Sequence, residues 1–188
     1  MWTKKLLEDN HKLLAVAPMA DMTDSPFCRT IKSVGGVDVM FREMVSSEAV
    51  VRDNAKTLGM TDFVDQERPI VQQIFGADPL IMSKAAEIVM QHAGPEGIDI
   101  NMGCPVYKLT SNFNGAALMK DPELSANIVR EIKRAIGPDV PLSVKIRLGW
   151  DDPDTFKTFI PVLEEAGADL ISMHGRTRSQ GYSGTSDW

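Results

Sequence analysis

One unit recurs along this chain: a short, nearly continuous apolar run, then a turn, then an amphipathic helix closed by glycine. Apolar runs at residues 13–20, 37–44, 69–76, 97–103, 142–149 and 168–175 read as six buried strands. Between them the apolar residues take a helical period. Ser25 is a plausible N-cap with Pro26 at the first helical position; Phe27, Ile31 and Val34 follow on one face, and Gly35-Gly36 stops the helix. Leu80, Ala85, Ile88 and Val89 mark a second helix. Asp121-Pro122-Glu123 opens a third, with Leu124, Ile128, Ile132 and Ile136 on its face and Gly137 at its end. Asp152-Pro153-Asp154 opens a fourth, carrying Phe156, Ile160 and Leu163 and closed by Gly167. Strands apolar on both faces, alternating with helices, predict a parallel sheet covered by helices.

Such a sheet either stays open and doubly wound or closes into a (β/α)8 barrel. The first strand is not followed by Gly-x-Gly-x-x-Gly, which weakens the dinucleotide-type open sheet. Polar or special residues stand at the C-terminal end of almost every strand: Met19, Glu43, Gln73, Asn101, Cys104, Lys145, Arg147, His174 and Arg176. A ring of functional groups at the strand ends is what the active face of a barrel requires. The expectation is an α/β chain with a TIM (β/α)8-type barrel, here truncated to about six β/α units.

Composition narrows the class. The chain has 188 residues, 43% hydrophobic and 24% charged, as expected of an ordinary globular protein. It has no apolar run near the ~20 residues that span a bilayer, and no long apolar stretch follows the two N-terminal lysines; both point to the cytoplasm and away from a membrane. Two cysteines, Cys28 and Cys104, cannot form a disulfide framework or a four-ligand zinc site, and no metal is expected. The net charge of −6 argues mildly against nucleic acid. Yet residues 101–150 carry seven Lys/Arg against four Asp/Glu, compatible with a local phosphate-facing surface or with a solvated helix face.

The stretch Gly97-Ile98-Asp99-Ile100-Asn101-Met102-Gly103-Cys104-Pro105-Val106 carries the strongest chemical signal. Ile98, Ile100 and Met102 alternate with Asp99 and Asn101, Gly103 allows a turn, and Pro105 ends the ladder. A thiol at a strand end beside a polar amide is placed for chemistry, although a free cysteine is also commonly a small core residue. Cys28 lies on the apolar face of the first helix and reads as core.

Taken together, these stretches resemble the tRNA-dihydrouridine synthase family. Six motifs carry the resemblance, in order: Ala17-Pro18-Met19-Ala20-Asp21-Met22-Thr23-Asp24, Phe41-Arg42-Glu43-Met44-Val45-Ser46, Gln73-Ile74-Phe75-Gly76-Ala77-Asp78-Pro79, Asp99-Ile100-Asn101-Met102-Gly103-Cys104-Pro105, Val144-Lys145-Ile146-Arg147-Leu148-Gly149-Trp150, and His174-Gly175-Arg176-Thr177-Arg178 with Gln180, Tyr182 and Gly184. The resemblance implies an FMN-dependent barrel that reduces the C5=C6 bond of uridine in tRNA, with NADPH as electron source. It implies Cys104 as proton donor, since an ordinary thiol with a pKa of about 8.5 stays protonated at neutral pH. Pro18, Met19 and Ala20 would line the isoalloxazine edge, Gln73 the flavin pyrimidine ring, Lys145 its N1–C2=O edge, and His174 a fourth contact. Asn101 would hold the uracil edge, while Lys108 and Arg176 would face RNA or phosphate.

The same residues have structural readings. Met19 can fill a core gap, Gln73 can cap a strand end, Lys145 can be solvated or ion-paired, and His174 can be a satisfied buried histidine. Glu43 can position a loop or the substrate. The loop after Cys104 keeps only Lys108 where many relatives have further basic residues, and Tyr107 or Phe113 could stack on a base instead. The resemblance also implies that residues 1–188 form an incomplete FMN-binding barrel domain, lacking the last strands and a C-terminal helical tRNA-binding domain. Alone, this chain is expected to bind FMN weakly and not to turn over. Two other functions fit the residues: another FMN barrel acting on a small molecule, of the dihydroorotate dehydrogenase or ene-reductase type, and a non-catalytic RNA-binding module.

Overall fold

A computed structural model describes residues 12–188. Six strands, β1 (Ala15–Val16), β2 (Val39–Ser46), β3 (Ile70–Phe75), β4 (Gly97–Met102), β5 (Leu142–Arg147) and β6 (Leu170–His174), form one sheet in sequence order. Every neighbouring pair is parallel. The connections hold helices α1 (Ser25–Val34), α2 (Ser47–Val51), α3 (Ala55–Gly59), α4 (Pro79–His92), α5 (Tyr107–Thr110), α6 (Pro122–Ile136) and α7 (Phe156–Ala166). The whole is a curled half-barrel of the TIM-barrel type.

Strand alternation divides the sheet into two faces. Ile98, Ile100, Met102, Val144 and Ile146 point outward into the main core, where they join Met82, Ala86 and Val89 of α4 and Ile128 and Ile132 of α6. Residues between them point inward. At the base of the inner face Val39, Phe41 and Val71 pack together, and Leu13 beside β1 and Leu170 of β6 both pack against them. A residue beside the first strand and one in the last can meet the same three-residue cluster only if the sheet curls.

The helices start and stop largely where the punctuation predicts. Asp121 caps α6 by accepting from Leu124 N, and Gly137 ends it at φ +83°. Gly35 ends α1 with its N–H on Ile31 O. Four details differ. Asp24, not Ser25, caps α1, because Ser25 Oγ donates instead to Glu67 Oε1, 2.6 Å away. Leu80 is 69% exposed and Val34 is exposed too; the α4 core stripe is Met82, Ala85, Ala86 and Val89. Helix α7 starts at Phe156, after residues 152–155 form a turn. Finally β1 is two residues long and partly exposed, not a buried strand over 13–20. It has a sheet neighbour on one side only among the described residues, and Pro18 brings no N–H to a ladder. As expected, Cys28 is buried, against Met40 and Ile70.

Candidate active site

The chemistry-bearing residues converge on the inner face of β3, β4 and β5. Register aligns Gln73 with Asp99 and Asp99 with Ser143; the next inward layer aligns Asn101 with Lys145 and Lys145 with Ser172. Above these, Arg147 lies beside His174. The result is a polar wall on the inner face of the sheet.

A chain of hydrogen bonds runs along this wall. Ser143 Oγ donates to Asp99 Oδ1 and Gln73 Nε2 donates to Asp99 Oδ2, both at 2.5 Å. Asn101 Nδ2 donates to Gln73 Oε1 at 2.8 Å. Asn101 Oδ1 then accepts from Cys104 N at 2.9 Å and from Gly103 N at 3.2 Å. This is an Asx turn, in which a side-chain oxygen replaces the strand partner that the backbone has just lost. It delivers Cys104 to the strand end half-exposed.

The turn is fastened from two other sides. Ala116 N donates to Cys104 O at 3.0 Å, and Gly115 stands so close that a Cβ would lie 2.8 Å from that same oxygen. Arg147 Nε donates to Gly103 O at 2.7 Å, while its Nη1 reaches Thr177 O and Gly181 O. Arg147 thus ties the Cys104 turn to the segment after β6.

Electrostatics on the wall are set by burial. Asp99 is fully buried, which pushes its carboxyl up to about 6 against the pull of the Ser143 and Gln73 hydrogen bonds and the Lys145 charge. Burial lowers Lys145, with Asp99 opposing and Arg147 adding to the effect. The Lys145 ammonium makes no hydrogen bond or ion pair among the described residues. Burial also lowers His174, reinforced by the charges of Arg147, Lys145 and Arg176, so the imidazole is neutral at pH 7.

The remaining candidates lie around this centre. Pro18, Met19 and Ala20 follow β1 and turn back sharply, with Met19 O accepting from Met22 N and Thr23 N. Met19 is 37% exposed, so it is not a core gap-filler. Glu43 positions a loop: its Oε2 accepts from Asp21 N at 2.8 Å, and Asp21 holds a left-handed φ of 60°. Lys108 is exposed on α5 beside exposed Tyr107. Arg176 Nη2 is engaged with Gly184 O at 2.7 Å. Gln73, Asn101 and Cys104 are therefore directly linked, Lys145 and His174 share their face, and Lys108 and Arg176 are peripheral. Sequence reasoning left Asp99 out of the site and named Arg147 only among the strand-end groups, without a role. The inward register of Asp99 with Gln73, and of Arg147 with Lys145 two residues before it, is the signal that would have found them.

The family profile described as dihydrouridine synthase matches residues 15–188. The chain belongs to the dihydrouridine synthase family. It is 35% identical over 193 residues to the probable tRNA-dihydrouridine synthase 1 of Synechocystis, with all of this chain and 53% of that protein covered. It is 38% identical to tRNA-dihydrouridine synthase B of Xanthomonas campestris, covering 92% of this chain and 51% of the relative. The chain therefore spans about half the length of these members of the family. Among solved structures, a 2,3-dimethylmalate lyase of the PEP mutase/isocitrate lyase superfamily superimposes with a TM-score of 0.58 at 14% identity, covering 93% of this chain and 61% of the other; that likeness concerns the fold alone. Among the described residues no helix is long and apolar enough to cross a membrane, and no group of three or more His, Cys, Asp or Glu could hold a metal ion.

Proposed function

We propose that the protein is a tRNA-dihydrouridine synthase of the cytoplasm. It reduces the C5=C6 bond of uridine in tRNA to 5,6-dihydrouridine, using bound FMN and NADPH. The observation that carries this reading is the run from Gln73 through Asn101 to the Cys104 turn, within a chain of the dihydrouridine synthase family.

The residues suit a flavin. Lys145 is a half-buried cation that makes no hydrogen bond or ion pair among the described residues, and an anionic ring edge would satisfy it. Gln73 adds amide donor and acceptor groups for the pyrimidine ring. Pro18, Met19 and Ala20 supply a partly exposed apolar edge with backbone groups, and neutral His174 supplies one further polar contact. Bound there, FMN would supply hydride chemistry for uracil C6, with NADPH as the electron source.

The chain's own residues then complete the addition. Negative charge develops at C5 as hydride arrives at C6. The Cys104 thiol donates its proton to C5, and solvent returns one to the half-exposed thiolate. Asn101 holds the uracil edge and, through its Oδ1, keeps Cys104 in register with it. Lys108 and Arg176 face the RNA. Further strands that close the barrel, and a helical domain carrying most of the tRNA affinity, belong to the complete protein; on that view the net charge of −6 is no obstacle.

The test uses the complete reading frame in cells stripped of their own dihydrouridine synthases. Dihydrouridine is expected to return to their tRNA, and Cys104→Ala is expected to cut its formation by roughly 100-fold or more, the usual contribution of a positioned general acid. A flavin-bound protein that leaves tRNA unreduced would instead indicate a small-molecule reductase.

A further inference from the structure

Asp99 does not face the thiol, yet the hydrogen-bond chain that holds the thiol begins at its carboxylate. Each amide in the chain could in principle be turned over, exchanging its donor and acceptor ends. Both ends of the chain forbid it. Both oxygens of Asp99 accept, one from Ser143 Oγ and one from Gln73 Nε2. The far end consists of the Gly103 and Cys104 N–H groups, which can only donate. Gln73 must therefore turn its NH2 toward Asp99 and its oxygen toward Asn101. Asn101 must turn its NH2 toward Gln73 and its oxygen toward the Cys104 turn.

We propose that Asp99 is a positioning residue for the reaction: its carboxylate sets the orientation of the Gln73 and Asn101 amides and, through them, holds the turn that carries Cys104. The role assigned to Cys104 rests on the synthase reading, whereas the orientation argument stands on the hydrogen bonds alone. Ser143, Asp99, Gln73 and Asn101 are all buried and only the Gly103 and Cys104 end of the chain is part-exposed, so a reversed Gln73 amide has no water to turn to. Burial alone works against an ionised group here, and the shift of Asp99 to about 6 still leaves it ionised at pH 7.5. A carboxylate is thus kept where a neutral residue would be easier to bury.

The orientation can be reversed on purpose. Asn101→Asp puts a carboxylate where Asn101 now donates to Gln73. Gln73 must then turn over, and its oxygen meets the Asp99 carboxylate. Asp99→Asn in the same protein supplies a donor at that point and accepts from Ser143 with its other end. The double variant therefore restores every bond between Ser143 and the Cys104 turn with the chain running backwards, losing only the Asn101 Nδ2 contact to Met44 Sδ at 3.3 Å, while the carboxylate introduced at position 101 still accepts from Cys104 N.

The experiment is a double-mutant cycle on the protein from its complete reading frame. Alkylation of Cys104 by iodoacetamide is read by peptide mass spectrometry beside the thermal midpoint. Buried Cys28, whose thiol is pushed up to about 11, serves as the unreactive reference. N101D is expected to change the Cys104 alkylation rate on the order of tenfold and to lower Tm, as one buried hydrogen bond left unmade would. D99N/N101D is expected to recover both. Additive damage in the double variant, or no effect of N101D, would overturn the proposal. If N101D fails to fold, recovery of a folded double variant supports the proposal and its failure sinks it. Neither readout depends on dihydrouridine formation, so the synthase reading can fail separately.

Discussion

Cys104 is held through its own backbone N–H and C=O, with no bond to its sulfur among the described residues, and this makes its smallest neighbour the most sensitive. Gly115 sits at φ +60°, where a side chain is strained, and a Cβ there would press on Cys104 O at 2.8 Å. Gly115→Ala is expected to cost ~1–3 kcal/mol in chemical denaturation and to alter Cys104 alkylation as well. Lys145 gives the opposite sign. Removing the half-buried Lys145 ammonium, which makes no hydrogen bond or ion pair among the described residues, with Lys145→Met should raise the flavin-free thermal midpoint by roughly 2–4 °C per kcal/mol gained, while on the proposed reading FMN affinity falls; a fluorescence titration and a melt on the same sample check both. Asp99 leaves a signature in pH. Its folded value of about 6 lies above the ordinary carboxylate value, so the folded state binds the proton more tightly than the unfolded one. The stability this group contributes is fully present below about pH 4 and is lost as pH rises through about 6, a change of at most ~3 kcal/mol. D99N should flatten that part of the stability profile and be the more stable protein at pH 8. Denaturant midpoints measured from pH 4 to 8 for both proteins test this, and parallel profiles would show that the carboxyl carries no such shift. At this scale the sequence was readable where a motif stands next to a glycine turn, as with Asn101 and Cys104. It was not readable at Asp99, because one acidic residue among apolar neighbours looks the same whether it faces helix or barrel interior until the strand register is known.

Among the elements, the connection between β2 and β3 is organised by one buried cation. Arg42 points to the outer face of β2, where its Nη1 donates to Glu67 Oε2 at 3.2 Å and to Asp62 O, and its Nη2 donates to Met60 O. Both members of the pair are buried, and Glu67 Oε1 also accepts from Val64 N and Ser25 Oγ. One ion pair thus pins the end of α3, the following turn and the start of α1 against the sheet. Breaking it from one side leaves a buried charge: Arg42→Met is expected to cost ~3–5 kcal/mol and to release residues 60–67 to proteolysis before the rest of the fold. An unchanged denaturation midpoint and cleavage pattern would contradict this. Apolar periodicity could not foresee the arrangement. Helices α2 and α3 are five residues each, too short to show a period, and their order comes from Arg42 rather than from an amphipathic stripe. The longer α6 was readable because its cap, face and terminal glycine agree with each other.

Across the whole molecule, burial falls off from the centre of the sheet to its edges. Every residue of β4 is buried, whereas none of β6 is, and Met173 and Leu14 are exposed at opposite edges. A parallel sheet is stable when both faces and both edges are covered, and an edge strand leaves alternate N–H and C=O groups unpaired. The curl that brings Leu13 and Leu170 to one cluster shows the direction in which a barrel would close. On the proposed reading, in which further strands complete the sheet, those strands should protect β6 more than any other element. In hydrogen exchange on the 188-residue chain, amides of β6 and β1 are expected to exchange well before those of β3 to β5. In the protein from its complete reading frame, β6 should rise to the protection of β4, and FMN should bind more tightly. If β6 exchanges equally fast in both, the barrel does not close over this edge, and the flavin of the proposed reading would have to be held by the β3–β5 wall alone.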